Sequence, residues 1–235
     1  MFLFLKLILA HLIADFILQF EELYQLKVRS IAGHILHVLI HGSVSLFLLT
    51  PYLKDPWVWV FVIALTLIHL LQDLIKYGLT KKYPANTFIY FIADQVVHVL
   101  VISTVFLFPF SQDLNGFASY PGMNRFYLND FWTLLTIFFI LLTFAANYTF
   151  HAFYQSYVKR SRPMHWISSF ELSYTLFERT CIAGMVFWVH HPLAFLLIPL
   201  FGLTRLPWPV LRNWTDFGVS LIYSLGLSFL FRSFL

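Results

Sequence analysis

Long apolar runs constrain this 235-residue chain most strongly, because most of them have the length that crosses a lipid bilayer, about 20 residues. The runs are continuous and do not alternate, which favours helices over the strands of a barrel. With 60% hydrophobic and only 11% charged residues, the chain is not a water-soluble domain. The sequence predicts an all-α, polytopic membrane protein of seven to eight helices. The runs fall at residues 1–20, 33–53, 57–79, 87–110, 130–155, 167–190, 192–204 and 213–234.

Two of these runs need separate interpretation. We expect residues 1–20 to be a retained helix and not a cleaved signal peptide, because His11 and Asp15 interrupt the run. No small-x-small cleavage pattern follows it. Residues 192–204 are too few for an upright span and contain two prolines. This segment predicts a re-entrant loop or a short helix shielded by its neighbours.

The runs also divide the chain. We predict a four-helix membrane core in residues 1–110, an outer loop in residues 111–129 and accessory transmembrane helices in residues 130–235. The start of one helix can be predicted. Asp55 is a typical N-cap residue, and the following Pro56 suits the first helical position.

Positive charges indicate the orientation of the chain in the membrane. The connections after the first, third, fifth and seventh runs hold ten Lys and Arg residues, Lys27 among them, against four on the other side. This bias predicts that the N-terminus lies outside the cytoplasm. The net charge of +4 gives no reason to expect a nucleic-acid partner. The expected partners are the lipid bilayer and a lipid, small-molecule or ion substrate, while the oligomeric state stays open.

Histidine and aspartate interrupt the first four runs in a regular pattern. Several of these residues are four positions apart, so their side chains lie on one helical face. A rise of about 1.5 Å per residue places them all in one layer, slightly inward of the bilayer midplane. Ionisable groups in that layer are costly and are a sign of function. The candidate metal ligands are His11, Asp15, His37, His41, His69, Asp73, Asp94 and His98.

Imidazole and carboxylate together suit a divalent metal. Zinc is the preferred ion, with manganese or iron as alternatives, and eight candidates are enough for one or two ions. The lone Cys181 excludes a thiolate site. Asp94 and Glu178 are the candidate general bases. The residues expected to orient ligands or charges are Gln19, Gln72, Lys76, Gln95 and Arg179.

Several interpretations of the layer remain open at this point. The preferred function is metal-dependent hydrolysis of a lipid or membrane-embedded substrate. The alternative is a cation- or proton-coupled transporter that uses the same residues as its relay. A purely structural hydrogen-bonded core is a third interpretation. A haem held by His37 and His98 is a fourth, although it leaves the aspartates unexplained. We expect His34 to lie at the membrane interface, outside the ligand set.

The opening of the chain resembles a known family. The segment Ala10-His-Leu-Ile-Ala-Asp-Phe-Ile-Leu-Gln19, the following Lys27 and the His-rich second run resemble bacterial multi-pass membrane proteins catalogued as domain of unknown function 3307. The resemblance covers roughly residues 1–110 and implies no activity. The first and third runs both carry His-x-x-x-Asp, which indicates a weak duplicated hairpin. The layer is also loosely similar to membrane-bound metal-dependent hydrolases, by analogy alone.

Overall fold

A computed structural model describes residues 2–111, 127–158, 170–188, 200–204, 206 and 214–233. Every regular element in these ranges is a helix. The chain divides into two compact units, each described separately. The first contains residues 1–137 and 147–163, and the second contains residues 138–146 and 164–235. The domain limits drawn from the sequence stay predictions.

The long apolar helices confirm the prediction of an all-α membrane protein. Four helical stretches are long and apolar enough to cross a bilayer, with a fifth if one bent pair is counted as a span. The four stretches are Ile31–Leu48, Pro56–Lys82, Pro84–Leu107 and Asp130–Tyr157. The helices of this part of the chain are α1 (Phe2–Leu12), α2 (Glu21–Arg29), α3 (Ile31–Leu48), α4 (Pro56–Lys82), α5 (Thr87–Ser103), α6 (Asp130–Ile140) and α7 (Ala146–Phe153).

The first unit is arranged inside out relative to a water-soluble protein. On α4, Ile63 and Leu67 point outward and are 57% and 62% exposed, whereas His69 and Asp73 are buried. Similar apolar residues cover the outer faces of α3 and α5. An apolar exterior around a polar interior is stable only when the surroundings are lipid.

Four helices enclose the polar interior. The helix α1 packs on α3 and α5, and α4 also packs on α3 and α5, so that the four form a closed ring. Asp55 caps α4 as predicted, since its Oδ1 accepts a hydrogen bond from the Trp57 N–H at 2.8 Å. An apolar cluster that includes Leu3, Val58 and Val105 fills one end of the bundle. The prediction of a four-helix bundle around a buried His/Asp site is confirmed.

The sequence predicts a single helix for the first apolar run, but the structure shows a helix that is interrupted. The helix α1 continues through a wide π-type turn at Ile13–Ile17, where the Leu18 N–H donates to the Ile13 carbonyl at 2.9 Å. The chain then bends by 86° into α2. From the sequence, residues 21–29 are interpreted only as the connection between the first two runs. In the structure they form the helix α2, which contacts with α3 hold in place.

The second unit contains α8 (Phe170–Trp188), α9 (Leu200–Leu203) and α10 (Trp214–Arg232). A second π-type turn at Leu141–Ala145 belongs to the same unit. The predicted seventh run lies mostly outside the described residues, as does most of the predicted outer loop.

Candidate metal centre

One carboxylate lies at the focus of three imidazoles in the first unit. The Asp15 Oδ1 is 2.8 Å from the His41 Nε2 and 3.1 Å from the His37 Nε2. It is also 4.0 Å from the His69 Nε2. Each of the four residues offers one ligand atom, and these atoms lie within 4.8 Å of one another. All four side chains are buried. This group is geometrically able to hold a metal ion.

Some of the separations between these ligand atoms are close to those of a tetrahedral site, and others reach 4.0 Å or more. Zinc–ligand distances of about 2.0–2.1 Å imply that neighbouring ligand atoms are about 3.3 Å apart. The Asp15–His37 separation is 3.1 Å, and the two Nε2 atoms of His37 and His69 are 3.4 Å apart. The same separations permit hydrogen bonds between the groups. The geometry therefore fits a metal centre and a hydrogen-bonded core equally well, and charge distinguishes them.

Local sequence explains how the donors reach one point. His37 and His41 are one turn apart on α3 and face the same side. His69 lies on the buried face of α4. Asp15 lies inside the π-type turn of the first run, where the extra residue in the turn changes the direction of the side chain. Turns of this type are frequent at functional sites.

Two further histidines border the four donors. The rings of His11 and His98 stack with centroids 4.8 Å apart, and the His98 ring is 4.3 Å from that of His69. The His98 Nδ1–H donates to the Asp94 carbonyl at 2.7 Å, which leaves a lone pair on Nε2. That buried Nε2 has no hydrogen-bond partner among the described residues.

A small cavity lies in the centre of the bundle beside these rings. Its volume is about 20 Å³, enough for one water-sized group. One side is formed by imidazoles and hydroxyls and the other by aliphatic side chains. The lining residues are Leu7, His11, His41, Ser45, Leu65, Thr66, His69, His98 and Ile102.

Two of the predicted ligands are paired with lysines. The Asp94 Oδ2 is 2.6 Å from the Lys76 Nζ. The Asp73 Oδ2 is 2.7 Å from the Lys27 Nζ, and its other oxygen is 3.7 Å from Lys76. The structure therefore brings both aspartates to the edge of the histidine cluster, where their charges are already compensated.

Lys27 is the main residue of the site that the sequence does not predict, because it is interpreted there as an orientation signal and as part of the family resemblance. It extends from α2 into the bundle, where its Nζ also donates to the Gln19 Oε1 at 2.9 Å. Gln19 thus holds a lysine and not an imidazole. The available signal was the four-residue spacing of Leu23 and Lys27, which puts them on one face of a helix.

His34 is buried and not interfacial, contrary to the sequence prediction. It is 3% exposed, and its Nδ1 lies 3.9 Å from the Asp73 Oδ2. The helix α2 covers this end of α3, which explains the burial. Gly33 makes the coverage possible, since a Cβ there would lie 2.3 Å from the backbone of Leu26.

The predicted orienting residues have different surroundings. The Gln95 Oε1 is 3.4 Å from the His11 Nε2, and its amide nitrogen is 3.4 Å from the Asp15 Oδ2. Gln95 therefore lies between a histidine and the central carboxylate. The Gln72 Oε1 is buried without a hydrogen-bond partner among the described residues.

Glu178 and Arg179 belong to the second unit, and both are buried there. The Arg179 Nε–H donates to the Ser220 Oγ at 2.9 Å, and its Nη1 donates to the Thr143 carbonyl at 3.2 Å. These bonds join α8 to α10 and to the π-type turn of the same unit. A role for Glu178 in the metal centre stays a prediction.

The charges of the cluster do not balance. Three buried carboxylates, Asp15, Asp73 and Asp94, face two ammonium groups, Lys27 and Lys76, so three negative charges minus two positive charges leave one whenever the histidines are uncharged. Among the described residues, Asp15 has no lysine or arginine partner, and its neighbours are histidines and Gln95. An isolated buried carboxylate is costly, so this position favours a bound cation.

Comparison with known proteins places the chain in a family. A family model described as a protein of unknown function, DUF3307, matches residues 3–123, just over half of the chain. No curated protein and no solved structure matches the chain. The matched residues include all four donors of the candidate centre. The chain therefore belongs to the DUF3307 family of proteins of unknown function.

Proposed function

We propose that this protein binds one divalent metal ion, zinc, within the membrane and hydrolyses a lipid or another membrane-embedded substrate. The observation that carries the proposal is the uncompensated Asp15 carboxylate at the focus of three Nε2 atoms. Three imidazoles and one carboxylate are ligands that zinc accepts. Manganese and iron accept the same donor types, so zinc is the preferred ion within this proposal.

The surrounding residues support hydrolysis. A divalent metal polarises an ester or phosphoryl oxygen and acidifies bound water. The central cavity beside the donors has room for one water-sized group, and its lining combines imidazoles and hydroxyls with the aliphatic side chains of Leu7, Leu65 and Ile102. The bare His98 Nε2 faces this space and is able to accept a hydrogen bond from a water or hydroxyl group.

The alternative function, a cation- or proton-coupled transporter, rests on a different observation. A continuous series of polar contacts runs from the partly exposed Lys76 to Asp94, from Asp94 to Gln95 and from Gln95 to Asp15. Such a series offers a route for protons or cations toward the centre of the bundle. We further infer that the protein resides in a bacterial inner membrane, with its N-terminus outside as the lysine and arginine bias indicates.

One experiment separates the two functions. Purified protein is reconstituted into vesicles of a bacterial polar-lipid extract, with and without one equivalent of Zn²⁺. Zinc- and pH-sensitive dyes are enclosed in the vesicles, and lipid composition is followed by mass spectrometry. Hydrolysis predicts zinc-dependent lipid products without a dye response. Asp15→Asn abolishes these products, whereas His34→Asn, which alters a buried histidine outside the donor set, retains them.

The remaining outcomes contradict the hydrolase proposal. A dye response that depends on Asp15, without lipid products, establishes the transporter alternative. Identical behaviour of the wild-type protein and Asp15→Asn in both readouts leaves the hydrogen-bonded structural core as the account of the cluster.

A further inference from the structure

The short helix α2 has an apolar face that stays about half exposed. It lies at 86° to α1, and its Leu23 and Lys27 point into the bundle. Phe20, Tyr24 and Val28 follow one another at intervals of four residues, and they are 47%, 44% and 45% exposed. This spacing places the three side chains along one line of the helix.

The other exposed side of α2 is polar. Glu22, Gln25 and Arg29 are exposed on that side, away from the apolar line. The helix therefore has one face against the bundle, one apolar exposed face and one polar exposed face. A short helix with an apolar and a charged exposed face matches the segments that lie in the membrane–water interface.

We propose that α2 lies in the plane of the membrane interface and that the occupant of its apolar face is the lipid surface. The Tyr77 hydroxyl donates to the Val28 carbonyl at 2.9 Å, which fixes the end of α2 beside the last turns of α4. At that level α4 still exposes Ile75 and Leu79, so the lipid-facing surface of the bundle extends to the depth of α2. Tyrosine is enriched at this depth.

The charges at this end identify the lipid class. Arg29 ends α2, and the exposed Lys81 and Lys82 end α4, the helix that contacts α2 through Tyr77. These three cations face outward, in contrast to Lys27, which is paired with Asp73 inside the bundle. Basic residues beside an interfacial helix attract anionic headgroups. The partner is therefore an anionic phospholipid such as phosphatidylglycerol.

The position of α2 is fixed and does not depend on the lipid. Ser30 ends α2 and caps α3, since its Oγ accepts a hydrogen bond from the Gly33 N–H at 3.3 Å. Gly33 lies against the backbone of Leu26 and Lys27, with no room for a Cβ. The helix therefore holds its apolar face at one depth.

Spin-label accessibility tests the depth of each face. In a Cys181→Ser background, labels are placed through Tyr24→Cys, Val28→Cys, Glu22→Cys and Gln25→Cys, and each protein is reconstituted into phosphatidylethanolamine–phosphatidylglycerol nanodiscs. We expect labels at 24 and 28 to collide with oxygen more than with a water-soluble nickel chelate. Labels at 22 and 25 show the reverse. The polar-face labels are the matched control, because they lie on the same short helix.

Two results overturn the depth assignment. Preferential nickel collision at 24 and 28 places the apolar face in water. Immobilised labels that neither reagent reaches show that a protein, such as a second copy of this chain, covers the face.

Lipid enrichment tests the headgroup assignment. In nanodiscs of equal phosphatidylglycerol and phosphatidylcholine, the lipids retained by the protein after delipidation are quantified by mass spectrometry. We expect phosphatidylglycerol to be enriched, with about a fivefold loss for each charge removed by Arg29→Gln, Lys81→Gln or Lys82→Gln. Lys54→Gln, an exposed lysine at the other end of α4, leaves the enrichment unchanged. Equal retention of both lipids by the wild-type protein contradicts the assignment.

Discussion

Asp15 and Asp73 are both buried carboxylates, but they differ in what neutralises them. Asp73 lies 2.7 Å from the Lys27 ammonium, whereas Asp15 is surrounded by histidine rings and Gln95. The burial cost of Asp73 is therefore offset within the protein, and that of Asp15 is offset only when a cation or a proton is added. This difference supports the proposal that Asp15 is a metal ligand and that Asp73 has a structural role.

The Lys27–Asp73 pair leads to a stability prediction. Lys27→Met leaves the Asp73 charge unpaired, and we expect it to lower the free energy of unfolding by about 3–5 kcal/mol. The double variant Lys27→Met, Asp73→Asn recovers most of the loss because no isolated charge remains. The measurement is unfolding in mixed micelles, with the exposed Lys54→Met as the control.

The control variant is expected to change the free energy of unfolding by less than about 0.5 kcal/mol. An effect of Lys27→Met as small as that of the control contradicts the assignment of a buried ion pair. A double variant no more stable than Lys27→Met shows that the lysine acts through something other than Asp73.

At the scale of the helices, α2 is positioned by the start of α3. The Leu26 and Lys27 backbone approaches Gly33 so closely that an added Cβ would lie 2.3 Å from it. This close approach places the Lys27 side chain above Asp73. Gly33 therefore allows the close helix packing that brings Lys27 to Asp73.

Two glycine variants test this packing. Gly33→Ala forces α2 away from α3, and we expect it to lower the free energy of unfolding by about 1–3 kcal/mol or more. Gly78→Ala is the matched control, since no atom lies within 4 Å of its added Cβ, and it is expected to stabilise α4 by about 0.5–1 kcal/mol. The readout is the unfolding free energy in micelles. Equal effects of the two variants contradict a tight contact at Gly33.

The helical bundle was predictable from the sequence, since each apolar run is long and its His and Asp residues recur on one face. The helix α2 was not, because residues 21–29 are too few for a membrane span and are ordered by Ser30, Gly33 and Lys27. Helical spacing also predicts that Asp73 faces the interior of the bundle, but it does not predict that Lys27 is its partner. A carboxylate that faces the bundle is equally suited to a metal or a lysine, and only the tertiary position of Lys27 decides.

At the scale of the whole molecule, the described residues of each unit bury polar or charged side chains at specific sites. Within the first unit, the His/Asp centre is enclosed by α1, α3, α4 and α5, whose outer faces are aliphatic. The second unit has its own buried polar group around Arg179. The enclosed centre with one uncompensated carboxylate is the feature on which the proposed function depends. The orientation of the N-terminus stays a prediction.

Zinc K-edge X-ray absorption on purified protein loaded with one equivalent of Zn²⁺ tests the metal centre most directly. The account predicts four nitrogen or oxygen neighbours at about 2.0–2.1 Å, with the outer-shell scattering of three imidazoles. Asp15→Asn loses this spectrum, and His34→Asn retains it. A six-coordinate hydrated ion, a sulfur neighbour from Cys181, or an unchanged spectrum in Asp15→Asn would contradict a centre built from Asp15, His37, His41 and His69.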